Sequence, residues 1–257
     1  MQKKDQYLLL LKALKWLDKF SYTVMTDGSI SVSKRDYLKI LFYLQLVKIH
    51  TTYGATIELI KKGYGMDAMV LVRTMLNNLI NCVWIMTKKQ KTRAKRFINY
   101  NFVIRKKFLE IVKKYPNDLN YFQKIINEEK QINLGYKKVE KYFKKDINRW
   151  PGMTIYQMAK ETKLEWDYDF VYGLASSLEH SDINSLNHYM EEFSDAQKLF
   201  KFRGGPSANY VNQSGITAIK YMGNGLELFV KSFKLKNNYK KRLLKFAAEI
   251  STNLKKP

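Results

Sequence analysis

Residues 66–87 read MDAMVLVRTMLNNLINCVWIMT, and this stretch decides the fold class. It is apolar nearly all round, which is typical of a helix at the centre of a bundle. Arg73, Asn77 and Asn81 interrupt the apolar run, and a single arginine at the middle of a bilayer costs about 2.5–3.5 kcal/mol on insertion scales. We therefore expect a buried core helix and no membrane span.

Helical periodicity continues on both sides of this core stretch. Gly63 and Gly65 break the chain before it, Pro116 ends the basic helix that follows, and 181–206 is the least regular part of the chain. Only 4 Pro and 12 Gly argue against a turn-rich β fold. The other predicted helices lie at about 5–20, 36–62, 90–115, 154–163, 167–180, 208–233 and 238–254, with one or two more in 118–148.

These patterns predict an all-α fold, a single-domain bundle of about seven to nine helices. The expected organisation is an N-terminal helix and connecting loop at 1–35 and a main helical bundle at 36–257. The helix at 66–87 should be central, with 167–180 packed on it. A chain of 257 residues with 46% hydrophobic content has ample material for such a core.

The single cysteine, Cys82, excludes an internal disulfide and a cysteine-based zinc site. This favours a reducing, cytoplasmic location. A cysteine within an apolar helix is more typical of an inert core thiol than of a nucleophile. No cofactor is expected, because the glycines at 63–65 and 223–225 lack the strand and the lysine of a phosphate-binding loop.

The formal charge of +23 is clustered rather than spread evenly. Residues 88–114 hold eleven Lys or Arg and one acid, whereas 165–195 hold eight acids and no Lys or Arg. Such basic helices attract a polyanion, so we expect contact with RNA or another nucleic acid. The alternatives are an anionic membrane surface, and charge that serves solubility alone while the interleaved aromatic side chains face the core. The predicted nucleic-acid contacts are Lys88, Lys89, Arg93, Arg96, Arg105 and Lys106.

Two polar stripes lie on apolar helices. Arg73, Asn77 and Asn81 recur every four residues and therefore share one helix face. The second stripe has the same spacing in the acidic segment, and the two could face each other. Its members are Tyr172, Ser176 and His180.

If the stripes meet, they supply the groups for metal-independent RNA cleavage. Arg73 would hold phosphate oxygens, and a neutral His180 would take the proton from a ribose 2′-hydroxyl. Tyr172 or Ser176 would orient the histidine. The simpler alternative is structural: Arg73 pairs with Asp169 or Glu179, and the network only fixes helix register.

A metal site is a weaker alternative. His188 with Glu191 or Glu192, together with Glu179, His180 and Asp182, offers imidazole and carboxylate ligands. No spacing of the H-E-x-x-H type is present, so no metal is expected. His50 lies on a long helix and is interpreted as structural.

The two stripes also carry a resemblance. The run Gly65-x-x-Ala68-x-x-Leu71-x-Arg73-Thr74-Met75-Leu76-Asn77, the 81–85 stretch and Tyr168-x-x-x-Tyr172-x-x-x-Ser176-x-x-x-His180 resemble a bacterial all-helical family of unknown function. Its members carry Arg-Ser-Leu-x-Glu-like and Ser-x-x-x-His motifs. The family is in turn similar to the HEPN group (higher eukaryotes and prokaryotes nucleotide-binding).

Many HEPN proteins are dimeric ribonucleases of toxin–antitoxin and phage-defence systems. The resemblance implies an HEPN-like bundle and marks Arg73, Ser176 and His180. Asn77 replaces the family's acidic residue, and the HEPN arginine shortly before the histidine is absent. Any arginine–histidine site must therefore come from separate helices.

Two functions are expected from the residues together with the resemblance, which alone implies the defence role and the homodimer. The first is a cytoplasmic, metal-independent endoribonuclease or RNA-binding effector of a bacterial defence or toxin–antitoxin system, with a homodimer and an acidic inhibitor or partner protein. The second is a non-catalytic helical interaction module that binds nucleic acid or an acidic protein through its basic helices.

Overall fold

The computed structural model describes residues 3–115, 122–144, 147–194, 199–202 and 204–254. In these ranges, six helices of 18 or more residues form the frame of the molecule. They are α1 (Lys3–Met25), α2 (Tyr37–Lys61), α3 (Gly65–Thr87), α4 (Gln90–Lys113), α11 (Val211–Ser232) and α12 (Asn237–Leu254). The predicted all-α bundle is confirmed.

Shorter elements connect the long helices. Two of them, α5 (Gln123–Asn127) and α6 (Glu129–Val139), follow α4, and a 3-10 turn, Glu140–Tyr142, ends this part. Next come α7 (Ile155–Glu161), α8 (Glu165–Asp167), a π-helical turn (Tyr168–Tyr172), α9 (Gly173–Glu179), α10 (Ile183–Leu186) and the 3-10 turn Asn187–Tyr189.

The least regular segment of the sequence contains a small hairpin that its pattern does not predict. Strand β1 (Met190–Ser194) pairs antiparallel with β2 (Leu199–Phe202), Met190 opposite Phe202, and the register shifts between Glu192 and Ser194. Two strands of five and four residues are too short to give a clear alternation of polar and apolar residues.

The core lies around α3. This helix packs most extensively on α2 and α11, and α9 lies against it, as the sequence predicts. Val72, Met75, Leu76 and Ile80 are fully buried. By length and composition α3 could also cross a membrane, a test that the buried core helix of a helical bundle passes equally.

A second, smaller cluster lies between α4 and α6. Val103, Val139 and Phe143 are its buried residues, with Tyr100 and Phe102 packed against them. The aromatic side chains that interleave with the basic residues of α4 therefore face inward for the most part. Phe108 is the more exposed of them and meets Phe122 edge-on, with 5.5 Å between ring centroids.

Gly65 fixes the entry into α3. A Cβ on Gly65 would lie 2.1 Å from the backbone oxygen of Asn209 and 2.3 Å from the backbone nitrogen of Val211. The 209–211 segment therefore passes directly over the first turn of α3, and the backbone amide of Ala208 bonds to the Gly63 carbonyl oxygen at 3.0 Å. Only a residue without a side chain allows this approach.

We expect Gly65→Ala to lower the free energy of unfolding by about 3 kcal/mol, because backbone atoms must move to admit the methyl group. Gly54→Ala is the matched control. Gly54 lies inside α2, and a methyl group on its Cα would meet nothing within 4 Å, so alanine should raise stability by about 0.5–1 kcal/mol. Urea denaturation of the two variants measures both effects. Equal stability of the two variants would contradict this packing.

Candidate polar site between α3 and α9

The segment from α8 to α9 brings the second polar stripe against α3. Its start is anchored by Asp167, which is buried and accepts hydrogen bonds from Lys220 Nζ at 2.5 Å and from the Tyr221 hydroxyl at 2.9 Å. Burial and the neighbouring Asp167 carboxylate raise the pKa of Tyr221, so it stays a donor at neutral pH. The π-helical turn then carries Tyr168 and Tyr172 over α3.

Arg73 is the centre of the site. Its Nη2 donates to the Tyr172 hydroxyl at 2.8 Å, and its guanidinium carbon lies 4.2 Å from the centroid of the Tyr172 ring. Its Nη1 forms an ion pair with Glu179. The Arg73 side chain is only 16% exposed, whereas that of Glu179 is 43% exposed. The guanidinium is thus mostly buried, and its partner Glu179 is the more solvent-exposed member of the ion pair.

Tyr168 extends this stack. Its ring lies 4.4 Å from that of Tyr172, centroid to centroid and nearly parallel. Burial and the adjacent Tyr172 raise the pKa of Tyr168, and Arg73 works in the opposite direction. The Tyr168 phenol is therefore neutral at neutral pH.

Part of the polar stripe on α3 is unsatisfied. Arg73 Nε and Asn77 Oδ1 are buried and have no hydrogen-bond partner in the described part of the chain. Asn81 is different, because its Oδ1 accepts from Trp150 Nε1 at 3.2 Å. Leaving a buried polar atom unpaired costs about 1–3 kcal/mol. The polar stripe therefore holds one N–H donor, Arg73 Nε, and one acceptor, Asn77 Oδ1, that can still form a hydrogen bond.

His180 follows Glu179 directly and ends α9. Its backbone N–H donates to the Ser176 carbonyl oxygen at 2.9 Å, while its side chain is exposed. Its ring makes no hydrogen bond within the ranges that the structure describes. The structure therefore joins Tyr172 to Arg73 directly, and it is Glu179, not His180, that contacts the guanidinium. Ser176 is half-buried one turn before His180.

The six predicted nucleic-acid contacts fall into three groups: exposed lysines, residues in ion pairs near the middle of α4, and two arginines with structural partners. Lys88 and Lys89 are exposed at the α3–α4 junction, and Lys89 adopts a left-handed backbone conformation with φ 47°. Arg105 pairs with Glu128, and Lys106 lies 3.4 Å from Glu110. These last two basic residues are partly neutralised.

Arg93 and Arg96 hold the basic helix to its surroundings. Arg93 lies 3.5 Å from the centroid of the Trp84 ring, donates to Thr87 Oγ1 at 2.7 Å and reaches Glu161 at 3.5 Å. Arg96 donates to two backbone carbonyl oxygens, those of Trp150 and Tyr142, each at 2.6 Å. Both arginines have structural partners that the sequence does not predict.

The metal alternative finds limited support. Among the described residues no three His, Cys, Asp or Glu side chains gather as metal ligands would. The side chains of Glu191 and Glu192 lie outside the described part. The His188 ring is hydrogen-bonded to Tyr210, whose hydroxyl lies 3.2 Å from His188 Nε2.

Sequence reasoning missed the Asp167–Lys220–Tyr221 cluster and the Arg93–Glu161 pair. The only signal for Asp167 in the sequence is a charged residue beside aromatic neighbours. No sequence pattern connects it with Lys220, which is 53 residues away. The sequence indicates Glu179 only as a structural partner of Arg73.

The fold and the site together define an all-helical bundle with a solvent-reaching arginine–tyrosine–glutamate cluster between two of its helices. The model of a family of unknown function, DUF5677, matches residues 39–198, which is more than half of the chain. The chain therefore belongs to that family, and the expected membership of a helical family of unknown function is confirmed. No curated protein and no solved structure matches the chain.

Cys82 is buried in α3, and burial raises the pKa of its thiol to about 12. The reactive thiolate is therefore almost absent at neutral pH. We expect iodoacetamide to leave Cys82 unmodified in the folded protein at about pH 8, below the raised pKa, and to alkylate it fully once guanidinium chloride unfolds the chain. Mass spectrometry measures the modification. Rapid alkylation of the folded chain would contradict the burial of this thiol.

Substitutions of Tyr172 test its contacts with Arg73. Tyr172→Phe removes the acceptor of Arg73 Nη2 but keeps the ring, and should cost about 1 kcal/mol of unfolding free energy. Tyr172→Ala also removes the ring under the guanidinium and should cost about 3 kcal/mol. Urea denaturation compares both with Tyr22→Phe, a control on an exposed tyrosine of α1. A stability of Tyr172→Phe equal to that of the wild type would mean that the hydroxyl contributes nothing.

Proposed function

We propose that the protein binds RNA and cleaves it without a metal ion, as an effector of a bacterial defence or toxin–antitoxin system acting in the cytoplasm. The observation that carries the proposal is the Arg73 cluster, in which a largely buried guanidinium is held by Tyr172 and paired with Glu179, the residue directly before the exposed His180 in the chain. A fixed cation and, one residue beyond its carboxylate partner, an exposed imidazole are groups that suit phosphodiester chemistry.

The overall charge supports RNA as the substrate. A net charge of +23 favours any polyanion, and Lys88 and Lys89 remain exposed and without ion-pair partners in the described ranges. Phosphate contacts of this kind supply most of the non-specific affinity for nucleic acids. The resemblance to HEPN proteins, many of which are dimeric ribonucleases, supports the same substrate and a homodimer.

The reaction needs few groups. His180 takes the proton of the ribose 2′-hydroxyl, and the resulting oxygen attacks the adjacent phosphorus in line. Arg73 stabilises the added charge on the phosphoryl oxygens. The bond to the 5′-oxygen breaks, that oxygen takes a proton from water, and the products are a 2′,3′-cyclic phosphate and a 5′-hydroxyl end. Tyr172 holds the guanidinium in orientation throughout.

Glu179 has a defined place in this proposal. Its carboxylate pairs with Arg73 Nη1, so a phosphate that binds this nitrogen would have to displace the glutamate. Because Glu179 is 43% exposed, its release into water is not costly. Substrate binding would therefore exchange the glutamate for a phosphate.

The same ion pair favours the second candidate function. If Glu179 stays on Arg73, the cluster only fixes α9 against α3, and the protein is a non-catalytic helical module. Its basic helices would then bind nucleic acid or an acidic inhibitor or partner protein. The two functions differ in whether Arg73 and His180 affect RNA at all.

The test is incubation of purified protein with a single-stranded RNA in EDTA, followed by gel analysis. Arg73→Ala and His180→Ala should each lower the cleavage rate at least about 100-fold, the usual effect of losing a positioned acid–base or charge-stabilising group. Glu179→Gln should keep or raise the rate, because it removes the competitor of the phosphate without removing bulk.

His50→Gln is the control for a general loss of histidine. His50 lies 3.1 Å from Asp18 Oδ1, in contact with α1 and outside the Arg73 cluster. Equal cleavage by the wild type and the Arg73 and His180 variants, or none by any of them, would overturn the enzymatic proposal. RNA binding without cleavage, unaffected by His180→Ala, would establish the second candidate.

A further inference from the structure

A cationic cleft lies between the start of α2 and the start of α4, outside the polar site described above. Its volume is about 470 Å³. Four basic side chains line it: Arg35 and Lys39 from the α2 side, and Lys91 and Lys95 from the first turns of α4. Asp36 is the acidic residue in the lining.

Most of this positive charge is not neutralised. Asp36 lies 3.8 Å from Lys39 and also accepts the backbone N–H of Lys39 as the cap of α2. Arg35, Lys91 and Lys95 are exposed, and within the described ranges none of them has an ion-pair partner. Three cations thus share one concave surface. Self-repulsion of this kind is unfavourable without a bound anion.

The start of α4 adds to the positive potential. This helix has 24 residues, and Lys89 before it provides no side-chain cap for the first backbone N–H groups. Gln90 and Lys91, its first two residues, line the cleft. Uncapped N–H donors and the helix dipole favour an anion at such an end.

The floor of the cleft has a different character. Leu38, Phe42 and Met86 line it as apolar side chains. A simple inorganic anion would leave this surface uncovered. A ligand that combines a phosphate with a flat apolar ring would cover the floor and also meet the cations at the rim.

We propose that this cleft binds a nucleotide, with its phosphate held by Arg35, Lys91 and Lys95 and its base or ribose on the apolar floor. The phosphate belongs either to a free nucleotide or to an RNA strand. The inference goes beyond the proposed RNA cleavage and does not depend on it, since no residue of the Arg73 cluster lines the cleft.

The probes are ATP, followed by isothermal titration calorimetry, and a short fluorescent oligouridylate, followed by anisotropy, both at about 0.15 M salt to limit non-specific attraction. Binding of ATP with a stoichiometry of one would identify a free nucleotide as the ligand. Binding of the oligouridylate alone would identify the RNA backbone. In either case Lys91→Gln/Lys95→Gln should weaken the binding at least about tenfold, because it removes two charge-assisted contacts.

The control carries the same change of net charge elsewhere. Lys240→Gln/Lys241→Gln lies on exposed positions of α12, away from the lining of the cleft, and should weaken binding less than about twofold, the effect of a distant, screened charge. Arg35→Gln approaches the cleft from its other side and should reproduce the effect of the α4 variant.

Equal weakening by the α4 and α12 variants would mean that only the net charge matters, and would overturn the proposal. Binding of neither probe by the wild type would also overturn it. If Lys91→Gln/Lys95→Gln loses nucleotide binding but still cleaves RNA, the cleft binds its ligand independently of the Arg73 cluster. If the wild type binds ATP but does not cleave RNA, the enzymatic proposal is overturned and the nucleotide-binding proposal for the cleft is supported.

Discussion

A guanidinium on a core helix, surrounded by apolar side chains, must find partners, because an unpaired buried charge costs several kcal/mol. Arg73 meets this constraint on α3, and its partners, Tyr172 and Glu179, both lie in the segment that runs from α8 to α9. The arginine therefore determines which face of that segment packs on α3. It also leaves a charged group at the seam between them, reached from solvent through a half-exposed glutamate.

The segment is anchored a second time, by α11. Asp167 is buried and bound by Lys220 and Tyr221 of α11, about one turn before Tyr172, which meets Arg73. Between the two anchors the chain forms a π-helical turn, which adds a residue to the turn and changes the helical phase. Two fixed polar contacts with different neighbours, α3 and α11, account for a wider turn at this point.

The sequence predicts the long elements well and the short contacts poorly, for identifiable reasons. The apolar run of α3 and its polar stripe specify a buried helix that needs a polar neighbour, and the spacing of Tyr172 points to that neighbour correctly. The spacing cannot choose between Glu179 and His180, because the two adjoin at the end of α9 and the residue at which the helix ends decides the direction of each side chain. Asp167 and Lys220 are 53 residues apart, and no local pattern connects them.

The basic residues divide by chemistry as well as by position. Arg73, Arg93, Arg96 and Arg105 all bind groups of this chain, through carboxylates, carbonyl oxygens or aromatic rings. Their planar, multidentate donors suit such fixed internal contacts. The lysines near the α3–α4 junction are instead exposed point charges on flexible stems.

This division explains why counting basic residues overestimates the surface available to a polyanion. The arginines of α4 are largely used in holding that helix to α7 and to the backbone carbonyl oxygens of Tyr142 and Trp150. A polyanion would meet lysines at the junction, where charges attract phosphates without reading bases. Any sequence preference would then have to come from a group with fixed geometry, and Arg73, held by Tyr172 at the seam between α3 and α9, has that property.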